Sequence, residues 1–254
     1  VEDFPRILEY AGYLQKLRGL LKETGIAEKT NVAPVEHALL VAEIHHRGVK
    51  RADGTPFIDH VFEVAKILVK EFGVKDIKEI VIGLCHDVLE DSPYWKQEEI
   101  PEAKEGEPLI PAKEGHGAWK IRATGLLAQE IGREEATEVA NLSRPRRDNI
   151  KIFSDKVADH MYRQVLNRKI KMADRLHNLR TLGAVSIRRQ MDTLVSTNDD
   201  YFPMFAQDLY EPEDRDVALY GLRQLWKEVE GWAPAHGLLF KVPYWAKEDF
   251  KFEN

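Results

Sequence analysis

One short stretch of the sequence concentrates side chains that could bind a metal ion and activate water. It runs from Gly83 to Asp91 and also contains His86, Asp87 and Glu90. The apolar residues before it recur every three or four positions, which predicts a helix with one buried face. On a continuous helix, His86 and Glu90 lie one turn apart, as do Asp87 and Asp91. Carboxylates this close repel one another, and a divalent cation bound by imidazole nitrogen and carboxylate oxygen would remove that repulsion.

The simpler interpretation of this stretch is a solvated acidic helix end that happens to contain a histidine. The neighbouring Cys85 is the single cysteine of the chain, which excludes an internal disulfide bond. On the apolar side of the helix, it is better explained as a small buried thiol than as a nucleophile. The stretch alone therefore leaves both interpretations open.

A second polar cluster lies on a later helical pattern, between Ile170 and Arg180. Asp174, His177 and Asn178 share one face with Lys171, three and four residues apart, opposite the apolar residues. Taken alone, Asp174 is explained by an ion pair with Lys171 or with the adjacent arginine. Four polar residues on a helix that otherwise faces the core instead predict that this face borders a cleft.

Three ordered segments of the chain resemble the HD phosphohydrolase superfamily, and most closely the (p)ppGpp hydrolase domain of the Rel/SpoT family and the small alarmone hydrolases. The resemblance covers residues 35–210. Its segments are His46 with Arg51-Ala-Asp-Gly54-Thr-Pro56-Phe57-Ile58-Asp-His60, then His86-Asp87-Val-Leu-Glu90-Asp91, then Lys171-Met-Ala-Asp174-Arg175-Leu-His177-Asn178-Leu-Arg-Thr181-Leu182. In the first segment, Phe57 stands where the family has tyrosine.

The resemblance implies a role for each matching residue. The implied ligands of one metal ion, usually Mn²⁺ in this family, are His60, His86, Asp87 and Asp174. The implied catalytic residues, which handle the attacking water, are Glu90 and Asp91. The implied substrate-binding residues are Arg51, Arg175, Asn178 and Lys171. Two imidazoles and two carboxylates leave positions on a six-coordinate cation for water and a phosphate oxygen, so the chemistry is consistent.

The implied function is metal-dependent hydrolysis of a nucleotide, with release of pyrophosphate from the 3′ position of (p)ppGpp as the first expectation. A sister enzyme with another substrate stays open: a dinucleotide phosphate, a nucleoside monophosphate or a deoxynucleotide. A third hypothesis is a nucleotide sensor that binds its ligand without hydrolysing it. The presence of both implied catalytic residues, Glu90 and Asp91, disfavours this hypothesis.

The elements that must position these residues are all predicted to be helices. No period-2 alternation of any length and no internal repeat occurs, so we expect an all-α protein in one domain over residues 1–254. The resemblance implies that this domain is an HD-domain helical bundle. Predicted helices include Ile7–Leu20, Leu21–Ala27, one beginning at Pro34, one opened by His60, Ile121–Ile131, Glu134–Leu142, Gln190–Leu209 and Glu213–Trp226. Residues 92–118 are predicted to be a long irregular insertion, and residues 231–254 an irregular aromatic tail.

Composition limits the choice of partners. The net charge of −6 gives no general attraction to nucleic acid. No run of about 18 uncharged apolar residues occurs, so no membrane span is expected. The first residues lack the basic and then apolar pattern of a signal peptide, which favours a cytoplasmic protein. We therefore expect a small-molecule nucleotide as partner, and the sequence leaves the oligomeric state open.

Overall fold

The computed structural model describes residues 4–92, 116–143, 165–247 and 250. These residues form helices and connecting turns without a β-strand, which confirms the all-α prediction for the part of the chain described here. An isolated antiparallel bridge pairs Lys50 with Pro56. The chain divides into two compact units, Val1–Met161 and Tyr162–Asn254. The expectation of one domain over residues 1–254 stays a prediction, and the insertion expected at 92–118 lies almost wholly outside the described residues.

The first unit contains seven α-helices among its described residues. They are α1 (Phe4–Glu23), α2 (Ala33–His45), α3 (Phe57–Lys66, continued by a π-helical turn Ile67–Glu71), α4 (Ile77–Cys85), α5 (Val88–Asp91), α6 (His116–Ile131) and α7 (Arg133–Leu142). The central helix is α4, which packs against α2, α3 and α7. Its residues from Ile80 to Cys85 are all buried because its sequence is apolar on nearly every side.

Two local features fix where α4 begins and how closely it packs. The Asp76 carboxylate accepts a hydrogen bond of 2.7 Å from the Lys78 amide and so caps the first turn. Further along, a Cβ atom on Gly83 would lie 2.5 Å from Leu68 Cδ1. Any larger residue would therefore force the buried Leu68 side chain to move. The residues that follow Gly83 include the histidine and carboxylates of the first motif.

The second unit contains four α-helices and several short turns in its described part. They are α8 (Val165–Arg180), α9 (Ile187–Ser196, continued by a π-helical turn Thr197–Tyr201), α10 (Phe202–Phe205) and α11 (Arg215–Trp232), with 3₁₀ turns at Leu182–Ala184, Ala206–Tyr210, Pro234–His236 and Tyr244–Ala246. The core forms where α8 packs against α10 and α11. From the predicted irregular tail, Trp245 is buried and its ring lies 5.1 Å from that of Phe202.

Several predicted helix bounds were wrong, each for a local reason. One continuous helix, α1, replaces the two predicted at the start of the chain. His60 does not open α3 but lies within its first turn, since the helix starts directly after Pro56. The single helix predicted for Gln190–Leu209 is broken into successive helical types, and Pro203 lies within that span. Helix α6 begins at His116, so the predicted insertion extended slightly too far.

The largest local difference concerns the first motif. We expected one helix to run through Asp91, but α4 ends at Cys85 and a separate short helix, α5, begins after Asp87. The Asp87 backbone has φ −104° and ψ 0°, outside the helical range. His86 and Glu90 are therefore not neighbours on one helix, and their side chains are placed by two elements. No helix in the described residues combines the length and apolarity that crossing a membrane requires.

Candidate functional site

His60 is held in the first turn of α3 by contacts on several sides. It is only 1% exposed. The preceding residue, Asp59, accepts a hydrogen bond of 2.5 Å from the Tyr13 hydroxyl of α1. The ring of Phe57 lies edge-on to the His60 ring, with centroids 5.4 Å apart. The packing of α1 and α3 therefore fixes the direction of this imidazole before any ligand binds.

His86 directly follows the last residue of α4, and its ring is fully buried. Its Nδ1 lies 2.8 Å from the Gly83 carbonyl oxygen. Because a carbonyl oxygen only accepts, Nδ1 must carry the proton, and the lone pair of a neutral ring is then on Nε2. A backbone partner on the distal nitrogen is the usual way in which a metal-binding histidine is oriented.

Two imidazoles and one carboxylate converge in the first unit. The Asp87 Oδ2 atom lies 3.0 Å from His86 Nε2 and 3.4 Å from His60 Nε2. The potential ligand atoms of these three residues all lie within 4.8 Å of one another. With the proton of His86 on Nδ1, its Nε2 lone pair faces a carboxylate oxygen, an arrangement that repels unless a cation or a further proton lies between them. This His/Asp cluster could bind a metal ion, and its nitrogen and oxygen donors suit a borderline divalent cation.

The short helix α5 begins directly after Asp87 and carries Glu90 and Asp91. The backbone amides of both residues donate hydrogen bonds to the Asp87 carbonyl oxygen, at 3.0 and 2.9 Å. At the other end, Ser92 is buried and its hydroxyl lies 3.1 Å from His45 Nδ1 of α2. Glu90 is partly buried and Asp91 is exposed, so the two carboxylates differ in their access to water.

Arg51 lies in the loop between α2 and α3, which is ordered by its own hydrogen bonds. The Arg51 amide donates to the Thr55 carbonyl (2.9 Å), and the Phe57 amide donates to the Val49 carbonyl (3.0 Å). Gly54 adopts φ +83°, a left-handed conformation that glycine accommodates without strain. Arg51 therefore lies in an ordered turn, nine residues before His60 in the sequence.

The predicted polar cluster of the second unit is present on α8. The Asn178 amide donates a hydrogen bond of 2.7 Å to Asp174 Oδ1, and Lys171 Nζ lies 3.7 Å from Asp174 Oδ2. Lys171 is 3% exposed, which is unusual for a lysine. The Arg175 guanidinium stacks on the Tyr201 ring, 3.7 Å from its centroid. The Asn178 amide and the Lys171 ammonium group thus orient the Asp174 carboxylate. The neighbouring Arg175 side chain is directed towards the Tyr201 ring.

The sequence did not single out His46 or Tyr13 as individual site residues. The His46 ring stacks on Phe57, with centroids 4.5 Å apart and an angle of 24° between the planes. Burial lowers the pKa of His46 to about 3, so its ring is neutral. His46 is the first residue of the first matching segment, and that position was its only sequence signal. Nothing in the sequence connects Tyr13 with Asp59, which lies 46 residues away.

Comparisons with known proteins agree with the sequence resemblance. No family model matches the chain. A protein of Brucella melitensis described as GTP pyrophosphokinase rsh is 30% identical over 206 residues, which are 78% of this chain and 24% of that protein. The rsh protein of Brucella abortus is also 30% identical over 206 residues, and the alignment covers the same fractions of the two chains. The chain therefore spans about a quarter of the length of these curated relatives.

Among solved structures, one described as a metazoan ortholog of SpoT that hydrolyses ppGpp matches with a TM-score of 0.52 and 19% sequence identity. The match covers 83% of this chain and 99% of that one. At this identity the likeness shows the fold alone. Over most of its length, the chain therefore resembles Rel/SpoT-family proteins in sequence and shares the all-α fold of a SpoT ortholog, as the three segments predicted.

Proposed function

We propose that this protein is a metal-dependent phosphohydrolase that removes pyrophosphate from the 3′ position of (p)ppGpp. The observation that carries the proposal is the convergence of His60 Nε2, His86 Nε2 and Asp87 Oδ2 at buried positions. Buried imidazole and carboxylate groups that converge in this way are typical of a functional site. The names of the similar proteins supply the substrate class, and the intact Glu90 and Asp91 supply the groups for turnover.

The proposed ligands are His60, His86, Asp87 and Asp174, and the proposed ion is Mn²⁺. Asp174 is suited to this role because Asn178 and Lys171 orient its carboxylate. When bound, such a cation would lower the pKa of a water molecule towards ~7 and would polarise a phosphoryl oxygen. Proton acceptance and substrate binding are proposed to be carried out by side chains of the protein.

Glu90 is proposed to accept the proton of the attacking water, with Asp91 beside it. Its position in α5, hydrogen-bonded to the Asp87 carbonyl, places it one short turn from a proposed ligand without making it a ligand itself. Arg51, Arg175, Asn178 and Lys171 are proposed to bind the substrate. Arginine matches phosphate oxygens bidentately, which matters in a protein whose net charge of −6 repels a polyphosphate at long range.

Hydrolysis of ppGpp with identification of both products tests the proposal directly. Purified protein with Mn²⁺ should release pyrophosphate and leave GDP. A panel of nucleoside monophosphates, deoxynucleotides and dinucleotide phosphates should be hydrolysed at least about tenfold more slowly. If another member of the panel is the better substrate, the phosphohydrolase chemistry stands and the alarmone assignment fails. If ppGpp binds without turnover, the protein is a sensor and the catalytic proposal is wrong.

The Arg51→Ala variant tests the phosphate-binding role separately. We expect it to raise KM for ppGpp while the metal content stays as in the parent protein. If KM and kcat are unchanged, Arg51 does not bind the phosphate groups. Other basic side chains must then do so, and Lys171 is the first to test. A cytoplasmic location remains a prediction.

A further inference from the structure

Helix α9 of the second unit exposes three large apolar side chains along one face. Ile187 is 69% exposed, Met191 37% and Val195 38%. Four residues separate each of these side chains from the next, so they form one row on the helix, here called the α9 stripe. Leu194 of the same helix is buried, which shows that α9 packs on its own core with a neighbouring face.

A row of exposed apolar residues differs from the scattered ones that most protein surfaces carry. Single exposed apolar side chains are common, whereas contiguous ones mark a surface that another molecule covers. Apolar residues spaced by helical turns are also the pattern with which one helix docks against another. The α9 stripe is therefore a candidate contact surface, and the charges beside it indicate what covers it.

The exposed charges of α9 change sign along the helix. Arg188 and Arg189 lie in its first turn, which contains no acidic residue, and Asp192 follows one turn later. Positive side chains are unfavourable at the start of a helix, because that end carries the positive pole of the helix dipole. A partner that brings negative charge to this end would therefore be favoured.

A second copy of α9, packed antiparallel about a twofold axis at Met191, brings that charge. Ile187 of each copy then lies opposite Val195 of the other, and Met191 faces its own counterpart. Arg188 and Asp192 are one turn apart on the same side of the stripe, so each arginine lies beside the aspartate of the other copy. The surface is thus complementary to itself, as a twofold interface requires. In a parallel pair, like charges would meet instead.

We propose that the α9 stripe is the contact surface of a symmetric, antiparallel dimer of this chain. Three apolar residues from each copy make a smaller contact than a standard stable interface. The dimer is therefore transient, with a Kd on the order of 10–100 µM. None of the proposed metal ligands, catalytic carboxylates or substrate-binding residues belongs to the stripe, so the proposal does not depend on hydrolysis.

Sedimentation equilibrium of the full-length protein, at concentrations from about 5 to about 500 µM, brackets the expected Kd. The mass of the parent should rise from that of one chain towards that of two. Ile187→Glu places a charge in the apolar contact, so the affinity should fall at least about tenfold. The matched control is Ile121→Glu, the same exchange on α6 at a position that is 68% exposed, which should associate as the parent does.

Charge reversal tests the antiparallel arrangement. Arg188→Asp and Asp192→Arg should each weaken the dimer at least about threefold, because like charges then face each other. The variant that carries both exchanges should regain the parent's affinity. An equal mixture of the two single variants should associate more tightly than either variant alone, since each then offers the charge that the other lacks.

Four results would overturn the proposal: the parent keeps the mass of one chain up to 500 µM, it grows beyond two chains, Ile187→Glu associates as the parent does, or the single charge reversals leave the affinity unchanged. A parent that stays monomeric while Ile187→Glu lowers its Tm would show that other residues of the same chain cover the stripe, which also contradicts the proposal. If Ile187→Glu does not fold, the charge reversals decide. Because no measurement involves metal or hydrolysis, failure here leaves the proposed function untouched.

Discussion

Glu90 and His86 belong to the same motif, but the structure separates what each can do. His86 is fully buried and directs Nε2 at the Asp87 carboxylate, whereas Glu90 is partly exposed on α5. We therefore predict that Glu90→Gln retains the metal and loses turnover, because the amide cannot accept the proton of the water. Loss of a general base typically lowers the rate 10²–10⁴-fold. Elemental analysis and initial rates on ppGpp measure the two effects.

The control for this exchange is Glu63→Gln, which changes a partly exposed carboxylate paired with Lys66 in the same unit. It should match the parent in both metal content and rate. Loss of the metal from Glu90→Gln, as complete as from His86→Ala, would make Glu90 a ligand and refute the assigned role.

His46 makes the stability of the folded protein depend on pH. Its pKa in the folded state is about 3, against 6.5 for an unperturbed histidine, because burial disfavours the charged ring. Between these values, the unfolded chain binds a proton that the folded chain does not, so stability is lost as the pH falls below about 6.5. The parent should therefore lose up to about 1.4 kcal/mol per pH unit more than His46→Phe does.

Denaturant unfolding of both proteins at pH 7, 6 and 5 without metal measures this difference. The other histidines near His46 are the same in both proteins, so their titration cancels in the comparison. Parallel stability curves for the parent and the variant would show that His46 is protonated in the folded state.

At the scale of helices, the approach of α4 to the end of α3 depends on one glycine. A Cβ atom at position 83 would lie 2.5 Å from Leu68 Cδ1, closer than such atoms can come. Gly83→Ala should therefore lower the free energy of unfolding by about 1–3 kcal/mol. It should also weaken metal binding, since the Gly83 carbonyl orients His86.

Gly125 offers a matched exchange in α6. It is exposed, and a Cβ atom there would meet nothing within 4 Å. Gly125→Ala should raise the free energy of unfolding by about 0.5–1 kcal/mol, because alanine loses less backbone entropy in a helix. Chemical denaturation measures the change in the free energy of unfolding for both variants. If Gly83→Ala and Gly125→Ala changed it in the same direction, this would contradict the close contact at Leu68.

Much of the helical pattern could be predicted from the sequence, because periodicity reports which residues face a core. The helix predicted to begin at Pro34 is present as α2, with Val35, Ala38 and Leu39 buried. The break after Cys85 could not be predicted, since the residues around it are compatible with a helix and only the packing decides where it ends. The same limit applies to His46, whose missing partners become visible only when the surrounding helices are in place.

For the molecule as a whole, one bound cation should stabilise the folded chain. A ligand that binds only the folded state adds about 2.7 kcal/mol at a concentration 100 times its Kd. For a chain of this size, that corresponds to a rise of roughly 5–10 °C in the apparent Tm. We predict such a rise with Mn²⁺, measured by calorimetry, and its loss in both His60→Ala and Asp174→Asn.

The two variants test different parts of the proposed ligand set. His60 belongs to the first compact unit and Asp174 to the second. Loss of the Mn²⁺ effect in His60→Ala alone would leave Asp174 outside the ligand set. The control is Lys66→Ala, which removes a partly exposed ion pair in the first unit and should keep the full rise in Tm.

The order of the proposed ligands along the chain has a consequence for its synthesis. His60, His86 and Asp87 leave the ribosome about 90 residues before Asp174. At about 5–20 residues per second, this is a delay of roughly 4–18 seconds. During that time the nascent chain meets the metal pool with two imidazoles and one carboxylate, a donor set that binds zinc or copper more tightly than manganese. If zinc or copper binds to these three groups first, it must dissociate before Mn²⁺ can take its place. The metal in the finished protein then depends on how fast that first ion dissociates, relative to the time at which Asp174 completes the proposed ligand set.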